Sequence, residues 1–291
     1  YFAKKTMDLI KEQDTGWTSN IGISPMLVNE GEIHNSGFEV AATWNDRVGK
    51  VNYWVSANMA TLKNRVHDIG KADANGKKPV WTDGGTYKDL SPFRSEEGQP
   101  LYSFYLIQSE GVFKTQSEVD AYVNSEGKKI QPNAQVGDLK FIDEDGNGAV
   151  GSEDRIFMGN GMPKVTYSLS GGLNWNNFTF NLMLQGVQGV KLFNAYKFTT
   201  LNESLSSFNR SRDILKALNG PNDEVPRISA SDKNGNFSTN SDYYLEKLFE
   251  EQVTLAQSGD AEKFILLDQE FHLFLAELTG NQRLCQIMRQ L

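Results

Sequence analysis

Two pairs of long alternating segments constrain the fold of this chain more than any other feature. In each segment apolar and polar residues follow one another with a period of two, at 38–45, 51–59, 165–174 and 178–185. This is the period of a β-strand, in which successive side chains point to opposite faces. Short polar stretches at 46–49 and 175–177 lie within the pairs. The sequence therefore predicts two antiparallel hairpins.

The length of the predicted strands and the asymmetry of their connections indicate where the hairpins reside. The runs have eight to ten residues, close to the roughly nine to eleven that a tilted strand needs to cross a bilayer. The two turns are short, whereas polar stretches at 60–100, 110–164 and 187–240 form long connections. Short turns on one side and long loops on the other are typical of an outer-membrane β-barrel. A soluble sheet with one wetted face has the same alternation and is the alternative.

Composition restricts the functional classes. The net charge of −8 argues against a nucleic-acid surface, which normally has a basic stripe, and we expect no nucleic-acid contact by this chain. The single Cys285 excludes an intramolecular disulfide framework. The chain opens on Tyr1 without a charged and apolar leader, so an exported protein would need a further N-terminal segment.

The chain changes character near residue 246. All Trp, Tyr and Pro residues precede this point, and the last 45 residues, 247–291, carry apolar residues at helical spacing. We therefore predict two domains, a β-rich segment at 1–246 and a short all-α segment at 247–291.

An acidic segment at 143–154 fits the template of a calcium-binding loop. Its oxygen donors would be Asp143, Asp145 and Asn147 at positions 1, 3 and 5, the carbonyl group of Ala149 at position 7, and Asp154 at position 12. Gly148 stands at position 6, where the backbone turns sharply. A plain acidic turn is the alternative, because Asp, Asn and Gly also form turns. The sequence favours Ca²⁺, with the role of bracing a long external loop.

Several motifs resemble the SusC/RagA family of TonB-linked outer-membrane transporters. They occur in family order and cover nearly all of the β-rich segment. They comprise YFAKKTMDLI at 1–10, NEGEIHNSGFE at 29–39, GDLKFID at 137–143, QGVQG at 185–189 with Phe193-Asn194, and SDYYLE at 241–246.

The resemblance implies the C-terminal part of a large plugged β-barrel that imports a glycan or a peptide. It also implies outer-membrane lipid around the barrel, TonB as energy-coupling partner and a SusD-like surface lipoprotein as lid. The family's plug domain, its TonB-contacting N-terminus and its closing strands are expected outside these residues.

The tail has a different resemblance. Asp260 is a plausible N-cap for a helix through Thr279, and Gly280 follows as a stop signal. LDQEFH at 267–272, with LTGNQRL at 278–284, resembles the FCD domain of FadR-type GntR transcription regulators. The resemblance implies that Asp268 and His272 bind Zn²⁺ or another divalent metal, and residues i and i+4 do share one helical face. An ordinary Asp–His helical pair is the alternative.

No catalytic constellation is apparent, and we expect no enzymatic activity. His34 and His67 have no Cys or second His at metal-ligand spacing and are interpreted as ordinary strand or surface histidines. Five aromatic residues could stack on sugar rings, although packing in a core is the commoner role. They are Tyr102, Phe104, Tyr105, Phe113 and Tyr122.

Three functional hypotheses follow. The first is a fragment of a SusC-like importer in the outer membrane, fused to a helical tail. The second is a fragment of an FCD-type regulator, which would place the protein in the cytoplasm. The third is a soluble calcium-binding β-protein, which would be monomeric without detergent and stabilised by calcium.

Overall fold

The computed structural model describes residues 1–13, 26–72, 76, 78–82, 85–205 and 208–246. Over these residues the protein is mainly β, which confirms the predicted fold class. The strands are β1 (Phe2–Met7), β2 (Ile10–Gln13), β3 (Met26–Asn29), β4 (Glu32–Gly37), β5 (Glu39–Val48), β6 (Val51–Thr61), β7 (Lys63–Asp68), β8 (Phe93–Arg94), β9 (Ser103–Ile107), β10 (Ser109–Val112), β11 (Leu139–Phe141), β12 (Arg155–Asn160), β13 (Val165–Trp175), β14 (Phe178–Gln188), β15 (Leu192–Phe193) and β16 (Leu245–Glu246).

Helices are few and short in the described residues. Two are α-helical, α1 (Gln116–Ala121) and α2 (Tyr196–Leu201). Three are 3-10 helices, at Ser152–Asp154, Arg212–Asn219 and Asp242–Tyr244. None of the helices among these residues is long and apolar enough to cross a lipid bilayer.

The chain divides into two compact units, Tyr1–Tyr244 and Leu245–Leu291. The predicted domain boundary after residue 246 lies close to this division and stays a prediction. The helices predicted between Asp260 and the end of the chain lie outside the described residues.

Both predicted hairpins are present, and they join into one antiparallel sheet with the strand order β14-β13-β6-β5. The first turn, however, is Gly49-Lys50 rather than 46–49. Asp46 stays in the ladder opposite Tyr53, whose hydroxyl donates to the Asp46 carboxylate at 3.3 Å. The polarity that suggested a turn therefore belongs to the end of a strand. Gly49 takes a φ of 61°, a left-handed conformation that costs glycine little.

The first hairpin continues beyond the long sheet. β4 precedes β5 and β7 follows β6, and the pairing of His34 with Arg65 keeps the register in which Glu39 pairs with Ala60. β1 adds a third strand to this extension, with Lys5 opposite His34. At the junction, a Cβ atom on Gly37 would lie 1.9 Å from the carbonyl oxygen of Thr61. Only glycine fits this close approach of the two strands.

The stretches predicted as long connections form a packed region of their own. Short strands β8 to β12 and both α-helices contribute to it. Its largest fully buried side chains include Tyr244, Phe113, Phe141, Phe198 and Phe237. These long connections are present, and they are packed rather than plainly polar, because their scattered aromatic residues meet in a common core.

A buried ion pair connects distant parts of this region. Arg227 donates to both carboxylate oxygens of Asp138, through Nε at 2.7 Å and Nη2 at 3.1 Å. Asp138 is completely buried and also accepts from the side-chain amide of Asn236 at 2.9 Å. Two-point binding of a carboxylate by a guanidinium fixes both distance and orientation. The pair therefore holds the segments around residues 138, 227 and 236 in one arrangement.

We expect Arg227→Leu to lower the free energy of unfolding by about 3–5 kcal/mol, because it leaves a buried carboxylate without its cation. Lys216→Leu is the matched control, since Lys216 pairs with Asp213 and Glu224 at the surface. Exposed pairs of this kind contribute about 0–1 kcal/mol. Denaturant titration of the full chain in detergent would measure both. Equal, small losses for the two variants would contradict a structural role of the buried pair.

Candidate functional site

One face of the four-stranded sheet is apolar from strand to strand. At its centre, Trp44 of β5 pairs with Val55 of β6, which pairs with Gly171 of β13, which pairs with Leu182 of β14. The next row along the sheet on this face consists of Ala42, Ala57, Leu169 and Leu184. Trp44 is 64% exposed and Leu182 is 51% exposed, so the face is not covered by the described residues.

The opposite face of the same sheet is polar. Thr43 and Ser56 share a hydrogen bond of 2.9 Å between their hydroxyls across β5 and β6. Asn58 donates from Nδ2 to the Ser168 hydroxyl at 2.8 Å, which links β6 to β13. A sheet with one apolar and one hydrogen-bonding face separates two different environments.

Aromatic residues mark both ends of the apolar face. Near the tight turns, the rings of Trp175 and Phe178 stack with centroids 6.3 Å apart. At the other end, the rings of Tyr1 and Phe38 lie 5.0 Å apart, where β5 gives way to β4. Aromatic side chains at the two borders of an apolar band are typical of strands that cross a bilayer, because such rings prefer the interface with water.

The acidic loop brings its predicted carboxylates together. Asp143, Asp145 and Asp154 each offer a ligand oxygen, and these atoms lie within 4.8 Å of one another. The loop starts after β11 and closes at the 3-10 helix that ends in Asp154. The residues at positions 1, 3 and 12 of the calcium template therefore lie near one another.

Backbone amides organise these carboxylates. Gly148 N–H donates to Asp143 Oδ2 at 2.8 Å, and Asn147 N–H donates to Asp145 Oδ1 at 3.0 Å. Asp154 is buried and accepts from Glu144 N–H at 2.8 Å. Its second oxygen accepts from Gly151 N–H at 2.6 Å. Asp154 therefore closes the loop internally, whereas Asp145 stands exposed at its rim.

The other residues of the predicted calcium site, Asn147 and Ala149, form hydrogen bonds within the loop. The Asn147 side chain donates to Asp145 Oδ2 at 2.8 Å and accepts from Ala149 N–H at 2.9 Å. Gly148 has a φ of 86°, as expected for the sharp turn at position 6. A Cβ atom there would lie 2.4 Å from Nδ2 of Asn124. This contact with the turn at 124–128 was not predictable from the loop sequence alone.

The aromatic residues considered as sugar contacts mostly serve the core. Phe104, Tyr105 and Phe113 are buried, and Tyr122 is half-buried with its hydroxyl donating to the Phe141 carbonyl at 2.6 Å. Burial raises the pKa of the Tyr122 hydroxyl. Tyr102 is the one of the five that is well exposed, at 43%.

His34 and His67, interpreted from the sequence as ordinary strand or surface histidines, lie side by side on neighbouring strands. Their rings stack with centroids 4.5 Å apart and an interplanar angle of 10°. Glu32 contacts His34 directly, and its Oε1 lies 3.9 Å from His67 Nε2. The hydrogen bond from Lys5 lowers the pKa of the Glu32 carboxyl, and His34 adds to this effect. Spacing along the sequence missed the cluster because two paired strands create it.

Asp268 and His272, the predicted ligands of the tail, lie outside the described residues.

Comparisons with known proteins agree with this geometry. TonB-dependent receptor P26 of Formosa agariphila is 26% identical over 197 residues, which are 67% of this chain and 18% of the receptor. TonB-dependent receptor P3 of the same organism is 25% identical over 238 residues, which are 80% of this chain and 22% of the receptor. The chain thus spans about a fifth of the length of these relatives.

Solved structures show the fold. The chain matches the RagAB peptide transporter with a TM-score of 0.57 and 19% identity, over 84% of this chain and 24% of that one. It matches the closed-closed state of the RagAB peptide importer with a TM-score of 0.59 and 17% identity, over the same shares. The resemblance of the β-rich segment to the barrel region of TonB-linked outer-membrane transporters is therefore confirmed.

The tail resemblance is also confirmed. The model of the FCD domain family matches residues 243–291. The match begins slightly before the predicted boundary, within the 3-10 helix Asp242–Tyr244.

Proposed function

We propose that the β-rich segment is part of a TonB-dependent outer-membrane transporter for nutrient import, and that its four-stranded sheet is a piece of the barrel wall. The observation that carries this proposal is the two-faced sheet. Its strands alternate between an exposed apolar face with aromatic borders and a polar, hydrogen-bonded face. In a barrel wall the first would contact lipid and the second would line the lumen.

The dimensions of the sheet support a position in the membrane. β5 has ten residues, and β6, β13 and β14 have eleven each. At about 3.4 Å per residue and a tilt of about 45°, ten residues rise roughly 24 Å along the membrane normal. An outer-membrane barrel has an apolar band about 25 Å tall. The apolar face therefore matches the thickness of lipid that it would cover.

The edges of the sheet support a larger wall. β5 and β14 are the outer strands of this sheet in the described part of the chain. Unpaired strand edges are not tolerated in lipid, because their backbone N–H and C=O groups would lack partners. A working wall would therefore pair both edges with further strands.

For the whole transporter, we propose a peptide or a glycan as cargo. The similar solved structures are described as a peptide transporter and importer, which supports the peptide. A SusD-like surface lipoprotein would cover the outer opening, and TonB would supply the energy.

We propose that the acidic loop binds Ca²⁺ and thereby braces the packed region outside the membrane. The convergence of three carboxylates supports this, because a hard cation with oxygen ligands would offset their repulsion. Asp143 and Asp145 would be direct ligands with Asn147 and the Ala149 carbonyl, and Asp154 would complete the site while it holds the backbone.

The FCD match favours a second candidate function for the tail. In this alternative, Asp268 and His272 bind a divalent metal such as Zn²⁺ within an effector-binding fragment of a GntR-type regulator, located in the cytoplasm. A soluble calcium-binding β-protein is the third candidate, and the lipid-facing variant below distinguishes it from the transporter.

Calcium should raise the midpoint of thermal unfolding of the full chain, and Asp143→Asn should abolish most of this increase because it removes a charged ligand. A ligand at 100 times its Kd stabilises a protein by about 2.7 kcal/mol. Glu144→Gln is the matched control, since residue 144 occupies position 2 of the loop, which supplies no ligand. Thermal unfolding with calcium and with a chelator measures both variants. An undiminished response in Asp143→Asn would contradict the site.

Leu182→Arg should destabilise the membrane-inserted chain by about 2–4 kcal/mol, the cost of an arginine facing lipid at the bilayer midplane. Met183→Arg is the control, because Met183 is the next residue, is 64% exposed and faces the polar side with Ser170. Urea unfolding from lipid vesicles would compare the two variants. If both are neutral and the chain is monomeric in plain buffer, the sheet is soluble and the transporter assignment is wrong.

A further inference from the structure

The cluster of Glu32, His34 and His67 lies on two adjacent strands. Glu32 and His34 are two residues apart in β4, so their side chains point to the same face of the strand. In β7, Val66 pairs with Ile33, but Asp68 rather than His67 pairs with Glu32. His67 is therefore the extra residue of a β-bulge. Bulges redirect side chains, and this one accompanies the placement of His67 beside His34.

The donor atoms of the three side chains converge. One ligand atom from each residue lies within 4.8 Å of the others. In a tetrahedral zinc site, ligand atoms about 2.1 Å from the ion are roughly 3.4 Å apart. A bound ion would therefore separate the contacting Glu32 and His34 atoms, and it would draw His67 Nε2, which lies 3.9 Å from Glu32 Oε1, slightly closer. Both histidine side chains are substantially exposed, at 42% and 61%, and have room to rotate.

The chemistry of the donors indicates a transition metal rather than calcium. Imidazole nitrogen suits zinc, copper and nickel, whereas calcium prefers oxygen ligands. Two imidazoles and one carboxylate are also the protein ligand set of well-known zinc sites, with water at the fourth position.

A cation already occupies part of this position. Lys5 Nζ lies 2.7 Å from the same Glu32 oxygen, and Lys5 pairs with His34 across β1 and β4. The carboxylate is thus oriented toward positive charge, and the Lys5 side chain is 51% exposed and can swing into solvent. The Lys5 ammonium group would repel an arriving dication, and the dication would have to displace it in order to bind Glu32.

We propose that Glu32, His34 and His67 form a binding site for a divalent transition-metal ion of the zinc class, with Lys5 as a competing cation. The site would join β4 to β7 where the first hairpin extends beyond the long sheet. It does not depend on the transporter assignment. It differs in residues and in ligand chemistry from the acidic loop, and it differs in residues from the tail pair.

The test uses the full chain in detergent, purified without a polyhistidine tag and with Asp268→Ala and His272→Ala introduced to remove the tail's predicted ligands. Zn²⁺ is titrated against a chromophoric chelator at mildly alkaline pH, where imidazole is neutral, and with calcium in excess. We expect one bound zinc ion. His34→Ala and His67→Ala should each weaken zinc binding at least about tenfold. Loss of a residue that only hydrogen-bonds a metal ligand already weakens metal binding by about 10- to 100-fold.

Lys5→Met supplies a variant that removes no ligand. It should tighten zinc binding, because the competing ammonium group is lost. Lys4→Met is its matched control, since Lys4 is the adjacent residue and pairs with Asn35 instead. No zinc binding, or binding unchanged in both histidine variants, would overturn the proposal. Equal zinc affinity of Lys5→Met and Lys4→Met would overturn the role of Lys5 as the competing cation.

Discussion

The register of the four-stranded sheet determines which side chains share each of its two faces. Because side chains alternate strictly along a strand, a slip of one residue would exchange the apolar and polar faces. The register brings Trp44, Val55 and Leu182 to one face, and it brings Thr43, Ser56 and Asn58 to the other. It also continues into β4 and β7, where it places His34 opposite Arg65 and near His67.

The packed region beside the sheet depends on a different interaction. Its core forms from residues far apart in the chain, and the Asp138–Arg227 pair orients the segments that surround it. The acidic loop follows β11 directly, so its carboxylates are presented by a framework that is already ordered. The acidic residues differ in role: Asp138 is paired in the interior, Asp154 is buried and holds the loop backbone, and Asp145 is exposed at the rim of its loop.

Local sequence patterns predicted the two hairpins and the residues of the acidic loop. Alternation gave both hairpins, and the calcium template selected Asp143, Asp145 and Asp154, whose carboxylates do converge. The first turn was misplaced because Asp46 and Arg47 are polar yet pair within the strand end. Extending the predicted hairpin past Gly37 would have placed Glu32 near His67, but the bulge that brings His67 beside His34 has no recognisable local signal. Burial of Phe104 and Phe113 depends on long-range packing, which periodicity does not contain.

We propose that one face of the long sheet contacts lipid. Trp44 and Trp54 test it directly, because Trp44 lies on the apolar face and Trp54 lies over Gly172 on the polar face, in neighbouring rows of the same sheet. Variants that keep one of these two tryptophans, with Phe at the other Trp positions, would be placed in vesicles whose acyl chains carry bromine. We expect strong quenching of Trp44 fluorescence and weak quenching of Trp54 fluorescence. Equal quenching, or none for Trp44, would contradict this proposal.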